Sequence, residues 1–299
     1  MRLIVTGTNG QVALALIERG AAQNVDVAAI GRSWRPGLDL ADPATVASVL
    51  SAVDGDVIIN AAAYTAVDKA ESEEELATRI NGEGAGAVAR AAARRGVPFL
   101  HLSTDYVFDG SLDRPWREDD PTCPIGAYGR SKLAGEQAVL RENPGATILR
   151  TAWVYAPFGA NFVRTMLRLG ETREEVSVVA DQHGAPTAAL DIADALIAIA
   201  RKRLAEPANP ALSGVFHMSG GGEATWADFA EEIFAEAERH GRKPVRVRRI
   251  GTADYPTPAR RPANSRLDNS KLKNVYGVAL PDWRLSTRAC VARLLQDSN

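Results

Sequence analysis

Residues 1–155 predict an α/β fold with a doubly wound parallel sheet, followed by a smaller C-terminal α/β lobe. Three observations carry this reading. The chain opens with a short aliphatic run, a Gly-x-x-Gly turn and a helical pattern. β-branched runs and Ala-rich helical patterns then alternate as far as Tyr155. Such alternation builds parallel sheets, because each crossover is a helix. After Tyr155 the alternation loosens, and Pro- and Gly-rich connections appear.

Composition sets the bounds. The chain has 299 residues, of which 45% are hydrophobic and 24% charged, ordinary values for a protein with a substantial core. A net charge of -2 gives no footprint for nucleic acid or an anionic membrane. No apolar run is long enough to span a bilayer. Met1 leads straight into a strand-like run, without the apolar segment and cleavage site of a signal peptide. Cys123 and Cys290 lie far apart and suggest neither a disulfide framework nor a metal site. A cytoplasmic protein is expected.

Leu3-Ile4-Val5 reads as the first strand, and Gly7-x-x-Gly10 as the turn into a helix. Glycines there allow a pyrophosphate to approach the backbone, and the helix N-terminus offers free N–H groups. Gly7, Asn9, Gly10, Gln11 and Val12 are therefore candidate cofactor contacts in a Rossmann-type unit. Val25 to Ile30 is a second strand, followed by Arg32 where NAD-selective sites carry a carboxylate. That substitution predicts NADPH in preference to NADH, although NADH stays possible. The alternative is an arginine that is simply solvated. Asp39-Leu40 is a candidate adenine contact, and Asp42-Pro43 reads as a helix cap and first helical residue.

Val57-Ile58-Ile59 is the third strand. The small residues after it suit close approach of a cofactor, so Ala61, Ala62, Ala63, Tyr64 and Thr65 join the candidates. Ala-rich helices over 73–80 and 84–95 follow, with Asn81 between or within them. Val97 to Leu102 is the next strand. Residues at its carboxyl end face the ligand crevice, which nominates Thr104, Asp105, Tyr106 and Phe108 for substrate. His101 alternates into the strand and is read as packed.

Tyr128 and Lys132 are four residues apart, on one face of the next helix. A nearby ammonium favours the phenolate, so this tyrosine suits proton transfer to a substrate oxygen. Ile148 to Tyr155 reads as one strand, with Trp153 facing the crevice or packed in the core. The expected division is a dinucleotide-binding part, 1–155 plus a helix at about 190–205, and a substrate lobe, 156–189 and 206–299. Thr225 is a plausible cap of a helix over Trp226 and Asp228. The Pro-rich run Tyr255 to Pro262 cannot be regular structure. Its neighbours Arg261 and Arg266 suit a diphosphate, or are solvated charges of a linker.

Together, Gly7-x-x-Gly10, Asn60-Ala61-Ala62, Ser103-Thr104-Asp105 and Tyr128-x-x-x-Lys132 resemble the extended short-chain dehydrogenase/reductases that act on nucleotide sugars. Asn60 to Glu71, Ser103 to Gly110, Tyr128 to Glu136, Arg150 to Tyr155 and Asn161 to Leu167 narrow this. So do Asp181 to Thr187 and Arg261 to Leu267. These runs resemble the dTDP-4-dehydrorhamnose reductases across nearly the whole chain. The resemblance implies reduction of the C4 ketone of dTDP-4-dehydro-L-rhamnose to dTDP-L-rhamnose. It implies that Tyr128 gives the proton, that Lys132 lowers its pKa and holds the nicotinamide ribose, and that Thr104 hydrogen-bonds the same oxygen. Two departures stand out: Ala13 where a third glycine is usual, and the missing acid after the second strand. Some members dimerise around a divalent ion, but Ala15 and Leu190 stand where ligands are expected. No metal is therefore expected, and the chain reads as a monomer or weak homodimer. Two other readings stay open: an epimerase or dehydratase of the same fold, and a non-catalytic subunit that only binds cofactor.

Overall fold

The aliphatic runs form strands because both of their faces are covered, as parallel sheets require. A computed structural model describes residues 1–34 and 37–296. Its central sheet begins with β1 (Arg2–Thr6), β2 (Asp26–Ile30), β3 (Val57–Asn60), β4 (Phe99–Thr104) and β5 (Thr147–Thr151). Short strands follow: β6 (Val154–Tyr155), β7 (Glu175–Val179), β8 (His183–Gly184) and β9 (Thr187–Ala188). The sixth strand of the sheet is β10 (Gly214–His217), and β11 (Ala224–Thr225) and β12 (Arg246–Ile250) end the series. The sheet order is β2-β1-β3-β4-β5-β10, all parallel. Strand order reverses at β1, so a crevice opens where β1 and β3 end.

Successive side chains point to opposite faces, and the two cores divide accordingly. Leu3, Val5, Ile59, Leu100 and Leu149 join one core; Ile4, Ile58, Phe99 and Ile148 join the other. The helices in chain order are α1 (Gln11–Ala22), α2 (Pro43–Ala52), α3 (Val67–Ala70), α4 (Glu74–Thr78) and α5 (Ala85–Arg95). There follow α6 (Ala127–Glu142), α7 (Phe162–Gly170), α8 (Ala189–Ala205), α9 (Trp226–Arg239), α10 (Ser270–Tyr276) and α11 (Trp283–Gln296). The first core takes α1, α8 and α10; the second takes α2, α5 and part of α6. The expected caps form: Asp42 accepts from Ala44 N at 3.0 Å, and Thr225 and Asp228 make a reciprocal capping box. Between α4 and α5, Arg79–Gly84 is a π-helical turn, so the two expected Ala-rich helices are one continuous rod.

A third core gathers Tyr155, Val178, Phe229, Ile233, Trp283 and Val291 between β7, α7, α9 and α11. The expected division at 206 is crossed. β10 pairs with β5 in the central sheet, and Tyr276 of α10 hydrogen-bonds Leu212 O beneath it. The expected single strand Ile148–Tyr155 is also two. Trp153 takes φ +49 between β5 and β6, and β6 leaves to pair with β9.

Candidate active site

The cofactor turn follows from its two glycines. Gly7 has φ +94, the left-handed region open to glycine at little cost. A Cβ on Gly7 would stand 3.4 Å from the Ala62 side chain, and one on Gly10 would meet nothing within 4 Å. No side chain caps α1 at Gly10. Its first N–H groups are therefore available to an anion, at the positive end of the helix dipole. Asn9 is exposed and Val12 is buried in the first core. Gln11 is held aside, its Oε1 accepting from Asn161 Nδ2 at 3.0 Å.

Across the switch point, Thr6 Oγ1 donates to Asn60 Oδ1 at 2.5 Å and accepts from Ala62 N at 3.2 Å. Asn60 Nδ2 donates to His101 Nδ1 at 3.0 Å, which leaves the ring proton on Nε2. This buried line ties the ends of β1, β3 and β4. Burial first, and then Lys132, hold the His101 imidazole neutral, so it is packed as expected. Ala61, Ala62, Ala63 and Tyr64 are partly exposed in the loop after β3, and Thr65 is exposed. Arg32 is exposed beside the end of β2. Asp39 is partly exposed and accepts from Ala41 N at 3.0 Å. Leu40 is 6% exposed and belongs to the second core, so its side chain packs inward.

The reactive pair stands on α6. This helix approaches closely because Gly129 and Gly135 line it: a Cβ on either would lie 2.2 Å from Tyr106 O or Asn81 O respectively. Glu71 Oε1 accepts from Ala127 N at 2.9 Å and fixes the helix start. Glu136 makes a buried bidentate pair with Arg150 at 2.7 and 2.9 Å and accepts from Ser103 Oγ at 2.5 Å. That links α6 to β4 and β5, one residue from Thr104.

Thr104 Oγ1 donates to Asp105 Oδ1 at 3.0 Å and accepts from Tyr106 N at 3.2 Å, and it stands close enough to Tyr128 to draw its phenol pKa down. The Tyr106 ring meets Tyr128 edge-on at 5.6 Å. Burial, then the Asp105 carboxylate, push the Tyr128 phenol above its ordinary value. Lys132 Nζ donates to Leu102 O at 2.7 Å, and burial lowers its ammonium to about 8. The expected lowering of the Tyr128 pKa by Lys132 is not present here: Lys132 turns to Leu102 O, and burial and Asp105 raise the phenol. Asp105 is 3% exposed; burial raises its carboxyl to about 6, opposed first by a hydrogen bond to Ser265 of the late loop. Tyr106 is pushed to about 12, by burial first and Asp105 second.

Four expected substrate contacts are already engaged. Phe108 is corrected outright: it is 0% exposed, stacked on Trp116 at 4.4 Å with the Arg150 guanidinium 4.9 Å over its ring. Trp153 is partly exposed and stacks on Trp226 at 3.8 Å, against the bare face of Gly184. Arg261 pairs with Asp68 at 2.9 Å, and Arg266 with Glu223 at 3.0 Å.

Asn81 lies within the continuous rod, in its π-helical turn. There its amide accepts from Tyr64 N at 2.8 Å and donates to Tyr64 O at 3.0 Å and Ser131 Oγ at 2.9 Å. It thus shapes the cofactor loop against α6. Its signal was a lone amide between Gly82 and an Ala-rich helix. Asp68, Glu71, Glu136 and Ser265 were missed, because their partners are distant in sequence.

The family model described as RmlD substrate binding domain matches residues 1–296. The chain belongs to the dTDP-4-dehydrorhamnose reductase family. A reductase of that name from Sinorhizobium fredii is 52% identical over 295 residues, covering 99% of this chain and 98% of the relative. Two crystal structures of reductases of this name are similar throughout. That from Clostridium acetobutylicum has a TM-score of 0.89 at 37% identity, covering 98% of this chain and 99% of its own. That from Bacillus anthracis, solved in complex with NADP, has a TM-score of 0.88 at 35% identity with the same coverage. The Rossmann-type architecture expected from the sequence is the architecture of this family.

Proposed function

We propose that this protein reduces the C4 ketone of dTDP-4-dehydro-L-rhamnose to dTDP-L-rhamnose with NADPH. One observation carries the reading: the Thr104 hydroxyl stands close enough to Tyr128 to act on its phenol, near the crevice where α1 presents its uncapped N-terminus. Bound NADPH supplies the hydride. Everything else falls to the chain. The Tyr128 phenol gives its proton to the C4 oxygen, and the Thr104 hydroxyl donates to the same oxygen as negative charge develops there. Lys132, one turn along, would hold the nicotinamide ribose, and its charge near the phenol would draw the phenol pKa down.

Gly7, Gly10 and the first N–H groups of α1 cradle the cofactor pyrophosphate. Arg32 would pair with the 2′-phosphate, with Asp39, the Leu40 backbone and the 61–65 loop around the adenosine. Trp153 flanks the sugar. Arg261 and Arg266 exchange Asp68 and Glu223 for the substrate diphosphate, a charge-assisted exchange to which guanidinium is suited. Asp105 and Tyr106 line the sugar pocket. Residues 1–155 with α8, β10 and α10 form the cofactor part, and the third core carries the substrate part. No helix among the described residues is long and apolar enough to cross a membrane. We take the protein to act in the cytoplasm as a monomer or weak homodimer, which analytical ultracentrifugation checks.

The test is oxidation of NADPH by the purified protein given dTDP-4-dehydro-L-rhamnose, with product identified. Net consumption of cofactor excludes an epimerase or dehydratase, which regenerates it. Tyr128→Phe should lower kcat by about 10²-fold or more. Arg32→Ala should lower kcat/KM for NADPH and leave that for NADH unchanged. No oxidation of either cofactor by the wild type overturns the reading.

A further inference from the structure

A cavity of about 900 Å³ opens in the C-terminal lobe, between α7, the end of α9 and the end of α11. Its lining contains none of the residues assigned above to cofactor or substrate. Four cations converge on it: Arg164, Arg168, Arg242 and Lys243, against a single carboxylate, Glu171. Among the described residues, none of the four has an ion-pair partner within 4.0 Å. Their neighbours behave differently. Arg239 pairs with Glu236 at 2.6 Å, Arg246 with Glu175, and Arg249 with Asp228 at 2.5 Å. Neutralisation is thus the local habit, and it stops at the cavity wall. The lining also includes the apolar side chains of Phe234 and Val245. Ligand sites are typically of roughly 300–1,000 Å³, apolar with a few convergent polar groups.

We infer that this cavity binds a diphosphate ester, its phosphates held by Arg164, Arg168, Arg242 and Lys243 and its organic part against Phe234 and Val245. Arg164 is partly anchored, donating from Nη1 to Pro157 O at 2.9 Å. Among the described residues, the other three make no side-chain hydrogen bond, so guanidinium and ammonium donors are free to turn to phosphate oxygens. This is a second anion site, apart from the turn at Gly7.

The test is calorimetric titration of the full chain with inorganic pyrophosphate at low ionic strength. NADPH, itself a diphosphate ester, is left out, and binding at the α1 N-terminus is read as the component that the triple variant keeps. The variants are Arg168→Ala/Arg242→Ala/Lys243→Ala together, and Arg261→Ala as the control for the substrate crevice. Wild type and Arg261→Ala should bind alike, and the triple variant about tenfold or more weakly. Its circular dichroism spectrum and kcat should match the wild type. Should the triple variant fail to fold, Arg168→Glu alone serves in its place. Equal binding by the triple variant, loss of binding in Arg261→Ala, or no binding to the wild type overturns the inference. A nucleoside diphosphate that binds Arg261→Ala no more tightly than pyrophosphate overturns the role given to Phe234 and Val245. All these outcomes can be read whether or not the protein reduces a sugar ketone.

Discussion

Replacing Lys132 by methionine should abolish reduction without weakening the fold at neutral pH. Lys132 is 3% exposed, and burial brings its ammonium from 10.5 down to about 8. A gap of that size is worth about 3 kcal/mol between the two protonation states. Between pH 8 and 10.5 the unfolded chain keeps a proton that the native protein has released. Stability of the wild type therefore rises with pH across that window, and the full penalty is present below it. Lys132→Met removes the penalty and also strips Leu102 O of its donor, a loss of about 1–3 kcal/mol. At pH 7 the two effects nearly cancel, or leave the variant slightly more stable. Urea unfolding of both proteins from pH 7 to pH 10 is the assay. The wild type should gain roughly 2–3 kcal/mol on the variant over that range. A stability difference that stays flat with pH, or moves the other way, would refute the burial argument. The Leu102 term is the same at every pH and does not confuse the result.

Other perturbations test the surroundings of the pair. Asp105 is raised from 3.8 to about 6, so the native state holds its proton more tightly and wild-type stability falls as pH climbs through that interval. Asp105→Asn should therefore gain about 2 kcal/mol relative to the wild type between pH 4 and pH 7, as read by urea midpoints. Gly129→Ala gains about 1 kcal/mol of helix propensity. It also drives a Cβ to 2.2 Å from a backbone oxygen, Tyr106 O, and overpacking of that kind costs about 1–3 kcal/mol or more. A lower Tm and a reduced kcat are expected. Glu136→Gln should cost about 3 kcal/mol in thermal unfolding by leaving the Arg150 charge buried and unbalanced. The double change Glu136→Leu/Arg150→Met should recover most of it.

What could be read in the chain was what depends on neighbours in sequence. The β1 turn, the caps at Asp42 and Thr225 and the i, i+4 geometry of Tyr128 and Lys132 are local, and they form. The break at Trp153 is not local. Ile148 to Tyr155 has unbroken strand propensity, and only the stack on Trp226 and the bare face of Gly184 show why the backbone reverses. β10 was assigned to the wrong lobe for a similar reason, since a parallel strand finds its partner through a distant crossover. Phe108 was misread because a strand end supplies both crevice and core positions, and Trp116 and Arg150 claim it for the core. The sign of the Tyr128 shift depends on how deeply the site is enclosed, which spacing does not reveal.

The seating of α6 has a consequence for how this fold varies. Its glycines rest on main-chain oxygens, Tyr106 O and Asn81 O, rather than on side chains. Main-chain atoms persist through most substitutions, so the pair it carries is insulated from drift in the surrounding sequence. Trp153, Arg261 and Arg266, by contrast, reach their places through side-chain partners such as Trp226, Asp68 and Glu223. Substitution can exchange those one at a time. On the proposed function, this construction would separate a fixed proton-transfer unit from a recognition surface that is free to diverge, so that new sugar preferences could arise without rebuilding the chemistry.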